Sequence, residues 1–249
     1  MLVIDREEDW LAIGQPAHAW LSGQVARAWG NGRFAAPDPF EDVCLGIEQH
    51  DIGWIDWDLR PPLLASARRA AGVFEAPFAP RLQLWARAPE RLLTASPWAA
   101  LLVSLHGRNI HTRFGDPERL PEPERGDVLA YLAGQAALQD RLIGALGIDR
   151  AAAERAGDLL FCLDAVSLTV CHGWPARDLP PVEGVAIRME PGGDGVFTLD
   201  PWPLGVPQLE VGLHARRLTE RFDDEAALHR ALATTPWTAL RWTLRPRRG

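Results

Sequence analysis

Up to about residue 175, the apolar residues of this 249-residue chain recur three and four apart; beyond it, Pro and Gly become dense and apolar residues alternate. That change of period constrains the fold more than any other feature. It predicts a mainly α chain, with a helical body over residues 1–175 and a small β-rich C-terminal extension over 176–249 packed on it. The first helix is expected over Pro16–Trp29, where Ala17, Trp20, Leu21, Val25, Ala28 and Trp29 fall largely on one side. Pro16 suits its first turn, and Gly30-Asn31-Gly32 ends it. Further helices are expected over Pro39–His50 and over 81–94, 97–110, 122–146 and 150–172. Residues 56–80, broken by Pro61, Pro62, Gly72, Pro77 and Pro80, read as a long loop, and 113–124 as a polar connection. In the extension, Val185–Met189 and Val196–Leu199 flank a Gly-rich turn and read as a hairpin. Leu209–Leu213 and Ala239–Leu244 read as further strands, with a short helix over Asp223–Ala233 between them.

Apolar residues make up 47% of the chain and charged residues 24%, which suits a globular protein with a sizeable core. No run of 18 apolar residues exists, and the opening MLVIDREEDW carries acids where a signal peptide needs bases. A cytoplasmic protein without membrane contact is expected. The net charge of -7 argues against a nucleic-acid partner. All 26 basic residues are Arg, so no Lys can serve as Schiff-base nucleophile or phosphate-loop cation. Cys44, Cys162 and Cys171 are too few for a disulfide framework and read as buried small hydrophobes. Eleven Trp suit a core or an aromatic pocket for a small-molecule substrate. The sequence leaves the oligomeric state open, a homo-oligomer included.

The chemistry concentrates in four places. Asp164 lies inside the apolar run Leu159–Leu168, where an unpaired carboxylate is expensive to bury and calls for a cation or strong donors. His50-Asp51 stands at the end of an amphipathic helix, in Glu48-Gln49-His50-Asp51-Ile52-Gly53-Trp54. Adjacent imidazole and carboxylate can share one metal, and Gly53 lets the backbone turn so that both point the same way. His18 follows Gln15 by three residues, so Gln15 can share its helical face and hydrogen-bond a water there. His106 and His111 lie five apart, about 140° around an uninterrupted helix; either the helix ends at Gly107 or only one faces a metal, and His106 is the choice. Each residue has a plainer alternative: helix-terminal or core histidines, and an Asp164 paired with Arg. Arg108 suits an oxyanion near the site or a surface salt bridge. Trp54, Asp56, Trp57 and Asp58 suit a pocket wall or a packed loop. His172, at a helix C-terminus, reads as structural, as do His214 and His229.

Taken in order, these residues give His, His-Asp, His, Asp. Here the sequence resembles the HD-domain superfamily of metal-dependent phosphohydrolases, whose signature takes the form His-Asp-Ile-Gly. It is more closely similar to a bacterial family of uncharacterised proteins, domain of unknown function 3891. That resemblance rests on Gln-x-x-His, His-Asp-Ile-Gly-Trp, Ser-Leu-His and the late Asp-x-x-Ser-Leu, and covers most of the chain. It implies an HD-domain-like helical bundle with His18, His50, Asp51 and Asp164 on a first metal, and His106 where dinuclear members add histidines. In a dinuclear site Asp51 would bridge. Trp54 stands where nucleotide-signalling members often carry Lys, which weakens a cyclic-dinucleotide substrate.

Three functions are compatible with this. The first is hydrolysis of a phosphoester of a small organic substrate, with Asp51, Gln15 and Arg108 in catalytic roles around one or two divalent ions. The ligand types suit Mn, Fe, Co, Ni, Zn or Mg without distinction. The second is a dinuclear-iron oxygenase, which needs His111 or another ligand. The third is a non-catalytic binding or scaffold protein that keeps the His-Asp core.

Overall fold

The computed structural model describes residues 1–247. It is not a mainly α bundle: helix makes up about 49% and strand about 21%, and a curled seven-stranded mixed sheet forms a half-barrel beside the helices. The sheet does not belong to the C-terminal region alone. Strands β1 (Leu2–Asp5) and β2 (Trp10–Ile13) open the chain, in a segment where the sequence shows no strand period. All four residues of β2 are buried, so the alternation that marks a half-exposed strand is missing.

Helices α1 (Gln15–Ala28), α2 (Phe40–Glu48) and α3 (Ile55–Leu59) follow. The expected loop over 56–80 contains α3 and a minimal hairpin of β3 (Leu63–Leu64) and β4 (Arg69–Ala70). Helices α4 (Phe78–Arg87), α5 (Pro97–Arg113), α6 (Glu124–Leu146) and α7 (Arg150–His172) complete the helical layer. Local signals set their ends. Ser96 accepts from the Ala99 N–H (3.0 Å) and Pro97 takes the first position of α5. α6 and α7 end on Gly147 and Gly173, both left-handed with φ of 62°.

The rest of the sheet is β5 (Arg177–Val182), β6 (Val185–Pro191), β7 (Val196–Asp200) and β8 (Leu209–Leu218), then α8 (Glu225–Thr234) and β9 (Trp237–Pro246). The strand order is β1-β2-β8-β9-β7-β6-β5. Only β7 and β9 pair in parallel; Trp10 lies opposite Leu218, and Leu213 opposite Leu240. One core cluster runs from Leu21, Ile47, Leu101 and Leu160 in the helices to Ile187, Leu199, Val211 and Leu244 in the sheet. No helix among the described residues is long and apolar enough to cross a membrane.

Candidate metal centre

Helices α1, α2, α5 and α7 pack against one another, and each brings part of one cluster to the shared interior. His18 projects from the second turn of α1. His50 and Asp51 follow the end of α2, His106 sits in α5 and Asp164 in α7. All five are buried, none more than 7% exposed. Asp51 Oδ2 lies 2.7 Å from His18 Nε2 and 3.7 Å from His50 Nε2. Asp164 Oδ1 lies 3.5 Å from His50 Nε2 and 3.7 Å from His18 Nδ1, and its Oδ2 lies 3.9 Å from His106 Nε2. Two ligand sets overlap: His18, His50 and Asp51, and His50, His106 and Asp164, each with ligand atoms within 4.8 Å of one another. Atoms bound to a common ion at about 2.0–2.2 Å lie about 3–3.5 Å apart, so the spacing needs little adjustment.

The outward nitrogens fix the tautomers. His50 Nδ1 lies 2.8 Å from the Ile47 carbonyl, which can only accept, so Nδ1 carries the proton. Ser167 donates to the Asp164 carbonyl (2.9 Å), which leaves its oxygen to accept from His18 Nδ1 (2.9 Å). With Nδ1 engaged in each ring, Nε2 is the atom turned inward toward the carboxylates, and His50 Nε2 has no hydrogen-bond partner among the described residues. His18 Nε2 lies 2.7 Å from Asp51 Oδ2, so either a proton on Nε2 or a cation bound by both atoms offsets the carboxylate charge there. Metal-ligating histidines have the same outer hydrogen bonds. The two buried carboxylates carry a charge that protons on the histidines or one divalent ion can balance. The residues present fit a metal.

The electrostatics agree. Burial disfavours a charged His50, yet Asp51 and Asp164 outweigh it and hold its pKa up to about 9, a field that favours positive charge at that point. Burial acts against ionised Asp51 and Asp164 too, but the histidines keep both below the usual carboxylate range. His106 is pushed down to about 4 by burial and then by His50, so its lone pair is free at neutral pH.

Asp51, His18, His106 and Asp164 open on a cavity of about 860 Å³, with His50 behind them. Gln15 lines it too; its Nε2 donates to Asp51 Oδ2 (2.8 Å), and its Oε1 is buried without a partner. Asp58 accepts the Gln15 backbone N–H and so takes the place of a capping side chain that Gly14 lacks. A larger cavity of about 1130 Å³ lies under the curl of β8 and β9, among His214, His229 and Asp58, and holds none of the cluster.

Several sequence candidates lie elsewhere. Arg108 is engaged by Glu154 through two hydrogen bonds (2.6 and 2.8 Å) and does not line the cavity. Helix α5 runs through Gly107 to Arg113, so His111 faces Trp85 and Tyr131 instead of the cluster, although it reaches the cavity wall. Trp54 is fully buried against Trp57 and Trp85, and Asp56 pairs with Arg91. His172 stacks on Trp174, with ring centroids 4.8 Å apart. The three cysteines are buried and free. Gly53 does not have the left-handed φ that only glycine tolerates; a Cβ there would collide with the Leu84 carbonyl oxygen. The reason for glycine is close approach of α4. Sequence reading missed Arg81 and Arg177, and placed Ser167 only within the Asp-x-x-Ser-Leu motif without a role. Ser167 had a signal, three residues after Asp164 on the same helix face.

Fold and site together define an α+β protein with a buried three-histidine, two-aspartate constellation at the floor of a cavity. The chain belongs to the family described as protein of unknown function DUF3891, whose model matches residues 1–220. Nothing among curated proteins or among solved structures matches it.

Removing the Ser167 hydroxyl isolates the outer bond to His18. Ser167→Ala is expected to weaken metal binding by roughly 10- to 100-fold, measured by competition with a chelator of known affinity. An unchanged affinity would remove the relay from the account of the site.

Proposed function

We propose that the protein is a metal-dependent hydrolase that cleaves a phosphoester of a small organic substrate. The observation that carries the reading is the cluster itself: His18 and His50 engage Nδ1 in outer hydrogen bonds and turn Nε2 toward two buried carboxylates, at the floor of a cavity. The order of the ligands, His, His-Asp, His, Asp, resembles that of HD-type phosphohydrolases and supports the same chemistry. The resemblance extends to the ligand order and not to the fold. A divalent ion held by His18, His50, Asp51, His106 and Asp164 would supply a water of lowered pKa and polarise a phosphoryl oxygen. Gln15 fixes Asp51 Oδ2 through its amide N–H, and its buried, unpartnered Oε1 can accept a hydrogen bond from a water bound beside the cluster. Hydrolysis forms one P–O bond from water and breaks the P–O bond to the alcohol, whose oxygen takes the proton.

The test is elemental mass spectrometry on purified protein, followed by hydrolysis of p-nitrophenyl phosphate before and after chelation. One or two metal ions per chain, with activity lost on chelation and restored by manganese or zinc, is the expected result. Metal without turnover of any phosphoester would overturn the hydrolase reading. Two irons per chain would favour the dinuclear oxygenase. No metal after reconstitution would leave the binding or scaffold reading.

A further inference from the structure

We propose that the cavity above the cluster binds an organic anion with an aryl or alkyl body, a phosphomonoester in the hydrolase reading on which this rests, with Arg81 and Arg177 holding its acidic group. The argument begins with charge. Four carboxylates line the cavity. Asp51 and Asp164 face the histidines, Asp116 pairs with Arg119 (3.1 Å) and Asp178 with Arg188 (3.3 Å). That accounts for every acid in the wall. Its two arginines, by contrast, have no carboxylate within 4 Å among the described residues, and Arg81 Nε is buried with no hydrogen-bond partner there. An acidic chain that aims two unpaired guanidinium groups into one apolar cavity is equipped for an anion.

Rings, not carboxylates, position both cations. The Arg177 guanidinium lies 4.3 Å from the Trp174 ring centroid, and that of Arg81 lies 5.6 and 5.8 Å from the Phe78 and Trp85 centroids. Stacking on a ring face leaves the N–H edge free to donate. The rest of the wall selects the body of the ligand. Phe161 packs on Phe114, and Phe114 and Phe74 are 73% and 63% exposed at this cavity. Two exposed phenylalanines beside a pocket make an apolar patch that a ligand's apolar body would cover. Sugar or polyol phosphates would leave these rings in contact with hydroxyls that have few polar partners here.

The experiment is calorimetric titration of the manganese-loaded protein with phenylphosphonate and with methylphosphonate, neither of which can be hydrolysed as an ester. Phenylphosphonate is expected to bind at least about tenfold tighter, the effect of burying one ring. Arg81→Gln and Arg177→Gln are each expected to weaken phenylphosphonate about tenfold or more while leaving metal content and melting temperature unchanged. Lys at either position should restore part of the loss. Equal affinity for the two phosphonates, or arginine variants that bind as wild type, would overturn the proposal. Phenylphosphonate binding with this arginine dependence, beside a failure to hydrolyse phenyl phosphate, would sustain it and overturn the hydrolase reading instead. Hydrolysis of phosphoesters with no preference for an aryl group would do the reverse.

Discussion

Asp51→Asn is expected to empty the metal centre and abolish turnover. The side chain keeps its size, so the packing between α1 and α2 is preserved. What changes is charge. Asp51 Oδ2 is the atom on which Gln15, His18 and His50 converge, at 2.8, 2.7 and 3.7 Å. With a neutral amide there, Asp164 alone balances whatever cation the histidines hold. Hydrolysis should fall on the order of a thousandfold, the scale of several kcal/mol that a metal contributes to stabilising transition-state charge. Metal content measured on the same sample should fall with it, while the circular dichroism spectrum of the apo protein should match wild type. A variant that kept a full metal complement would exclude Asp51 as a ligand. Asp164→Asn should behave alike, because its two oxygens face His50, His18 and His106.

The second large effect is on stability. Gly53→Ala places a methyl group against the Leu84 carbonyl oxygen and 2.9 Å from Ala88 Cβ. The obstacle is backbone, which cannot rotate away as a side-chain tip can. A cost of about 3 kcal/mol is expected, at the upper end of overpacking, which lowers the melting temperature by roughly 10 °C in a chain of this length. The matched control is Gly134→Ala on the exposed side of α6, where an added Cβ meets nothing; that change should stabilise by about 0.5–1 kcal/mol through helix propensity. Thermal melts of the two variants should move in opposite directions. Similar losses in both would mean that Gly53 is not held by close approach. Since Gly53 follows Asp51 by two residues, any shift of α4 to relieve the clash would also move the cluster.

The five clustered residues were legible from different signals: Asp164 from burial cost, His50-Asp51 from adjacency, and His18 and His106 from spacing and the ordered resemblance. Asp164 stands among Leu, Phe and Val, and burial of such a carboxylate has to be compensated. His106 and His111 could be told apart because a continuous helix turns them to different sides. The arginines of the cavity were not legible: Arg81 is one of 26 basic residues, and only its unpaired state in three dimensions distinguishes it. The helices of the body were readable from period, and the C-terminal strands from alternation around Gly192, Gly193 and Gly195. The N-terminal hairpin was not. Its two strands have four residues each, and β2 is covered on both faces. Its partner, β8, lies some two hundred residues further along the chain, so pairing information is absent locally. That omission turned a seven-stranded half-barrel into an expected small appendage on a helical bundle.

The placement of β9 has a consequence for how such a chain is made. It follows every other element in sequence, yet it sits in the middle of the sheet, between β8 and β7. During vectorial synthesis the ribosome therefore releases two separate three-stranded ribbons, β1-β2-β8 and β7-β6-β5, each with an open edge facing the other. Those edges are the surfaces on which nascent chains pair with the wrong neighbour. The sheet closes only when Trp237–Pro246 slots between them. Until then each ribbon keeps an unpaired edge on which another chain can pair.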